Sequence, residues 1–150
     1  MSERVDFYVL KSSTAKQRWT FACRLTEKAY LRNLKVVLLS ESDADALDEL
    51  LWTFNDRAFV PHELRRDSAS VPAAGSTPVQ LTTDLDSIEA ADLLVNLSDR
   101  LPARLERFMR IAEIMDGDAE RRAKGRERFK TYRDLKLPVQ THQMDESVGP

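Results

Sequence analysis

Short apolar runs alternate along this chain with segments whose apolar residues recur every three or four positions, the pattern of strands interleaved with amphipathic helices. Val5-Asp6-Phe7-Tyr8-Val9-Leu10 is rich in β-branched and aromatic residues and predicts a first strand. Ser12-Ser13-Thr14 supplies turn and N-cap chemistry for a following helix, in which Trp19, Ala22, Cys23, Thr26 and Tyr30 share the face that packs on the sheet. Lys35-Val36-Val37-Leu38-Leu39 is too short for a helix and apolar on every side, which predicts a strand buried on both faces and paired parallel to the first. Ser42 then caps a second helix, buried along Ala44, Leu47, Leu51 and Phe54 and ending near Asn55.

Residues 65–78 contain Ser, Ala, Gly and two prolines without periodicity and predict an exposed loop. Val79 to Thr83 predicts a short strand, and Asp92 to Ser98 a second fully buried one. Met109 to Met115 fits neither period cleanly, but its place between a buried strand and a long helix favours a strand. A final helix is predicted from about Asp118 to about Leu135, acidic in its first turn and basic later, as the helix dipole favours. Beyond Pro138 there is little to bury, so the pattern predicts one domain over residues 1–138 and a disordered, fraying tail over 139–150. Together these elements predict a three-layer α/β/α fold with a mostly parallel sheet.

Composition narrows the function classes. A chain of 150 residues, 42% hydrophobic and 32% charged, suits a single core. A formal net charge of -2 argues against a protein that coats nucleic acid or membrane. The N-terminal residues do not read as a leader and no apolar run is long enough to span a bilayer, so a cytoplasmic location is expected. A single cysteine, Cys23, excludes an intramolecular disulfide and a cysteine metal cage. None of the four glycines falls in the turn after the first strand, where a nucleotide-binding loop needs one, and no Walker-type loop occurs. His62 and His142 stand far apart without ligand-spaced neighbours, and Gly-x-Ser-x-Gly is absent. Neither catalysis, nor a metal or other cofactor, nor a small-molecule substrate is therefore expected.

Two constellations suit binding instead. Trp52 lies about 140° from the centre of its helix's buried stripe, and Phe59-Val60-Pro61 follows it as a rigid apolar segment. These residues form either a protein-binding patch or a satellite core in which Trp52 folds over the 65–78 loop. The second constellation is the last helix, where residues 121–133 hold seven Lys or Arg against Glu127 alone, a formal +6 that leaves -8 for the rest of the chain. Arg122, Arg126, Phe129 and Arg133 share a face, with Tyr132 beside Phe129 and Lys130 flanking the other side. Such a face suits a nucleic-acid single strand, or a short acidic peptide with apolar residues and a free carboxylate. It equally suits a solvated helix whose Phe129 and Tyr132 face the sheet.

Four segments carry a family resemblance over nearly the whole chain: Phe7-Tyr8-Val9-Leu10, Leu51-Trp52 with Phe59-Val60-Pro61-His62, Leu94-Val95-Asn96-Leu97, and Arg126-Glu127-Arg128-Phe129-Lys130-Thr131-Tyr132-Arg133. In these the sequence resembles the chi subunit of bacterial DNA polymerase III. The resemblance implies a Rossmann-like domain without nucleotide chemistry, acting as an accessory subunit that bridges the C-terminal tail of the single-stranded-DNA-binding protein to the clamp-loader psi subunit, or to a helicase-like protein, and meeting DNA only through its partners. It implies that Arg126 anchors the tail, with Arg122 and Lys130 as neighbouring cations, Phe129 and Tyr132 at the apolar floor and Met115 lining the same pocket. Trp52, Phe59, Val60 and Pro61 are implied as the psi or helicase-like surface. Gly125 and Lys136 stand where the family more often has alanine and glycine. The alternative function is direct single-stranded nucleic-acid binding through the same helix.

Overall fold

The computed structural model describes residues 3–12, 14–41, 44–54, 60–65, 78–85, 88 and 90–144. Seven strands, β1 (Arg4–Val9), β2 (Val36–Leu39), β3 (His62–Arg65), β4 (Val79–Thr82), β5 (Ala91–Asn96), β6 (Phe108–Met115) and β7 (Val139–Gln143), form one sheet in the order β3-β4-β2-β5-β6-β1-β7. All six pairings between neighbours are parallel. Helices α1 (Ala15–Leu31) and α2 (Ala44–Thr53) cover one face and α3 (Ala119–Asp134) the other. The β2 run shows why this sequence needs three layers, since Val36 and Leu38 pack with Phe21, Leu25, Leu47 and Leu51 while Val37 and Leu39 pack with Phe108, Ile111 and Tyr132.

The expected helix signals hold at two of the three helices. Thr14 caps α1, its hydroxyl accepting from the Gln17 amide, and the Asp118 carboxylate accepts from the Arg121 amide at the start of α3 (2.8 Å). The proposed Ser42 cap of α2 lies outside the described residues. At the end of α3 the Lys136 and Leu137 amides donate to the Arg133 and Tyr132 carbonyls, with Lys136 at φ 63°, a left-handed helix stop on a residue other than glycine.

Three expectations are corrected. β2 does not pair with β1: β5 and β6 stand between them, because the α1 crossover lets the chain pass over intervening strands while packing on a single face. The chain past Pro138 is not a tail throughout, because Val139–Gln143 is β7, parallel to β1. Its pairing owes little to apolar burial. The Val5 amide donates to the Pro138 carbonyl (2.9 Å), the Met144 amide to the Val9 carbonyl (3.0 Å), and His142 stacks on Tyr8 with Nε2 2.9 Å from Asp6 Oδ1. Residues 145–150 lie outside the described residues. Arg65, expected in a loop, ends the short strand β3, a stretch with one apolar residue in four and hence no strand signal; the remainder of that loop, apart from Pro78, lies outside the described residues.

Helix α3 is tied to the sheet by a buried polar network. The carboxylate of Glu113 on β6, fully buried, accepts hydrogen bonds from Arg128 Nε (3.0 Å) and Nη2 (3.1 Å), Tyr132 Oη (2.7 Å) and Asn96 Nδ2 (3.0 Å). Arg128 Nη1 also donates to the Asp99 carbonyl (3.0 Å), and Asn96 Oδ1 accepts from the Ser98 amide and hydroxyl. On the opposite face Arg18 of α1 donates to the carbonyls of Ile114 (2.8 Å) and Leu97 (3.4 Å), joining that helix to the ends of β6 and β5. Replacing Arg128 by Met would leave the Glu113 carboxylate buried without its cation. Urea unfolding of R128M is expected to show a loss of about 3–5 kcal/mol, and a loss below about 1 kcal/mol would contradict this role.

Candidate functional site

The buried stripe of α3 is Gly125, Arg128 and Tyr132, and it turns the next stripe of the helix toward the β1 and β7 side of the sheet. There a pocket of about 200 Å³ is lined by Phe7 and Val9 of β1, Met115 of β6, Thr141 of β7 and Arg122, Gly125, Arg126 and Phe129 of α3. Phe129 is half-buried and packs edge-on against Phe7 at 5.2 Å between ring centroids. Phe7 and Val9 point the same way because they are two residues apart on a strand, which places apolar side chains beneath the cations.

Gly125 sets the depth of this pocket. A Cβ on Gly125 would collide with the Met115 sulfur, so only glycine lets the Met115 side chain lie back under the helix. Gly125 carries no hydrophobic signal, and its partner is recognisable only once β6 and α3 are in place.

The seven cations of residues 121–133 are not equivalent. Arg121 makes a two-pronged pair with the buried Asp116 (3.0 and 3.1 Å), Lys124 reaches Asp99 and Glu120, and Arg128 is consumed by Glu113. Burial opposes ionisation of Asp116, but its bonds from Arg121 and from the Asp118 amide outweigh that and hold its carboxyl below the usual carboxylate range. Arg122 Nε donates to the Asp116 carbonyl (2.6 Å), fixing that side chain at the pocket rim. Among the described residues no ion pair engages Arg126, Lys130 or Arg133.

Of the predicted residues on this side, Met115, Arg122, Arg126 and Phe129 meet in the pocket. Tyr132 does not: it is 0% exposed, with its hydroxyl on Glu113, and burial followed by the Glu113 charge pushes its pKa far up. Position 132 lies one turn past Arg128 and inherits its inward direction. Lys130 sits further round the helix, in a second hollow with Phe129, Arg133 and Asp134.

Trp52 is 46% exposed, as its angular position on α2 predicts, and its ring packs on His62 at 4.1 Å between centroids. The platform is firm, since His62 Nδ1 lies 2.7 Å from the Val60 carbonyl and Nε2 3.1 Å from Asp48. The structure removes Val60 from this surface: it is fully buried in the core with Leu47 and Leu51, drawn inward as the chain enters β3. Pro61 is half-buried, and Phe59 lies outside the described residues. His62 was not among the predicted surface residues.

Among the described residues no helix is long and apolar enough to cross a membrane, and no group of three or more His, Cys, Asp or Glu could hold a metal ion. Fold and site thus define a three-layer α/β domain with an apolar pocket rimmed by cations, suited to an apolar group beside an anion. The chain belongs to the DNA polymerase III chi subunit family, whose model, described as the DNA polymerase III chi subunit, HolC, matches residues 1–140. It is 35% identical to the DNA polymerase III subunit chi of Pseudomonas aeruginosa over 146 residues, covering 94% of this chain and 96% of that protein. It is also 29% identical to the Haemophilus influenzae subunit chi over 136 residues (89% and 92% covered) and 25% identical to that of Escherichia coli over 138 residues (87% and 91% covered). Its class is that of a replication accessory subunit, not of the catalytic polymerase.

Gly125→Ala tests the Met115 packing. Alanine favours the helix by about 1 kcal/mol, so displacement of the flexible Met115 should leave net stability within about 1 kcal/mol of the parent while moving the Met115 side chain into the pocket. Thermal unfolding with a crystal structure checks both, and an unmoved Met115 would refute the account.

Proposed function

We propose that this chain works in the cytoplasm as a bridge in DNA replication, binding the C-terminal tail of the single-stranded-DNA-binding protein at the α3 pocket and the psi subunit, or a helicase-like protein, at Trp52. The observation that supports the first contact most directly is Arg126, unengaged by any ion pair among the described residues, on the rim of a pocket floored by Phe7, Met115 and Phe129. The terminal apolar side chain of an acidic tail would seat on that floor, its carboxylate would pair with Arg126 beside Arg122, and Lys130 would attract the acidic residues from the neighbouring turn. Trp52 on its His62 platform, flanked by Pro61, suits an aromatic anchor for the second protein.

Arg126→Ala should weaken a tail peptide by about 1–3 kcal/mol in calorimetric titration, the range for a charge-assisted contact, without changing the melting temperature. Unchanged affinity would remove Arg126 from the role. A labelled oligonucleotide that binds the isolated protein as tightly as the peptide would favour direct nucleic-acid binding instead.

Trp52→Ala should abolish binding of the second protein and leave the tail peptide's affinity unaltered, as read by pull-down and titration in parallel. Loss of both activities would mean that Trp52 supports the fold.

A further inference from the structure

The α3 pocket has a neighbouring hollow that shares Phe129 with it. This hollow, of about 490 Å³, is bounded by Phe129, Arg133, Lys136, Leu137 and Val139. Because α3 runs back between two parallel strands, Arg122 lies by the C-terminal end of the strands and Lys136 by the start of β7, so the two hollows follow one another along β7.

Among the described residues β7 is the last strand of the sheet. The bonds from Val5 to the Pro138 carbonyl and from Met144 to the Val9 carbonyl, with Val5 opposite Val139, fix which backbone groups face β1. In a parallel ladder alternate residues turn their N–H and C=O to opposite sides, so Gln140 and His142 serve β1 while Val139, Thr141 and Gln143 turn theirs away from β1, where no further strand lies among the described residues. Val139 and Thr141 also line the two hollows with their side chains. Val139-Gln140-Thr141-His142-Gln143 contains no lysine, acid or proline of the kind that guards an edge against strand addition.

We propose that an acidic peptide seated by its terminal residue in the α3 pocket runs back along β7 as an eighth strand, parallel to it, pairing its backbone with Val139 and Thr141 and turning carboxylates toward Arg133 and Lys136. This rests on the tail-binding reading of the pocket. The direction follows from the termini: a carboxylate at Arg126 beside Thr141 and preceding residues near Val139 give the peptide the same polarity as β7. Charge selects the occupant, since Arg133 and Lys136 flank this stretch and, among the described residues, the only acid lining the adjoining hollows is Asp134.

The test titrates the full chain with a long synthetic acidic peptide ending in phenylalanine with a free carboxylate, and with its short C-terminal fragment. Arg133→Ala with Lys136→Gly, the latter compatible with the positive φ there, should weaken the long peptide about tenfold and leave the fragment unchanged. N-methylation of the long peptide should weaken it about three- to tenfold at alternate residues and have no effect at those between. Equal losses for long peptide and fragment, or N-methylation effects without alternation, would overturn the strand. If Arg126→Ala alters neither peptide, the pocket reading has failed and the strand fails with it; if Arg126→Ala weakens both and the other arms are flat, only the strand fails. Concentration-dependent dimerisation that the long peptide fails to displace would show that a second copy, not an acidic tail, takes the edge, and would overturn the proposal.

Discussion

The rotation of α3 about its own axis depends on one buried carboxylate. Glu113 projects from β6 into the interior, where leaving it unpaired would cost several kcal/mol, and both Arg128 and Tyr132 must point inward to satisfy it. With those two positions fixed, the angular step of the helix places Arg122, Arg126, Phe129 and Arg133 on a stripe roughly 100° round from the buried one. The cationic face is thus set by an interaction that is itself almost wholly buried. An apolar isostere of the pair would pack, but would leave the helix free to choose among rotations that bury different stripes.

Much of the fold was legible because its central strands are apolar on both faces and α1 and α2 carry ordinary three-and-four periodicity. Legibility failed where burial is polar. The inward stripe of α3 reads Gly125, Arg128, Tyr132, so no hydrophobic period marks it, and the helical pattern leaves Tyr132 open between the cationic face and the sheet because its partner lies nineteen residues away on β6. β7 escaped for a similar reason: its order comes from main-chain pairing with β1 and from His142 against Tyr8 and Asp6, none of which is local in sequence. Strand adjacency was likewise invisible, since a buried apolar run such as Val36–Leu39 specifies two neighbours without naming them. The outward angle of Trp52 needed only the helix geometry, whereas its His62 platform required the neighbouring strand.

The sheet also separates the two surfaces. Trp52 packs on His62 of β3 at one end of the strand order, and the α3 groove borders β7 at the other. Six strand intervals at about 4.8 Å put them roughly 29 Å apart across the sheet. Groups so far apart act additively, so the two proposed surfaces could be occupied at once without competition.

Charge placement bears on what the groove can hold. Of the formal +6 carried by residues 121–133, the charges of Arg121, Lys124 and Arg128 are offset by acids of the chain itself, and the remainder of the molecule is acidic. At a distance beyond the Debye length of about 8 Å an approaching polyanion therefore meets little net attraction. Within that distance Arg122, Arg126 and Arg133 act together beside an apolar floor. A long nucleic acid needs a field sustained over many phosphates, whereas a short acidic peptide end needs only this local one. By that argument the same helix that looks strongly basic in sequence is, once its internal pairs are formed, better matched to a peptide terminus than to a nucleic-acid strand.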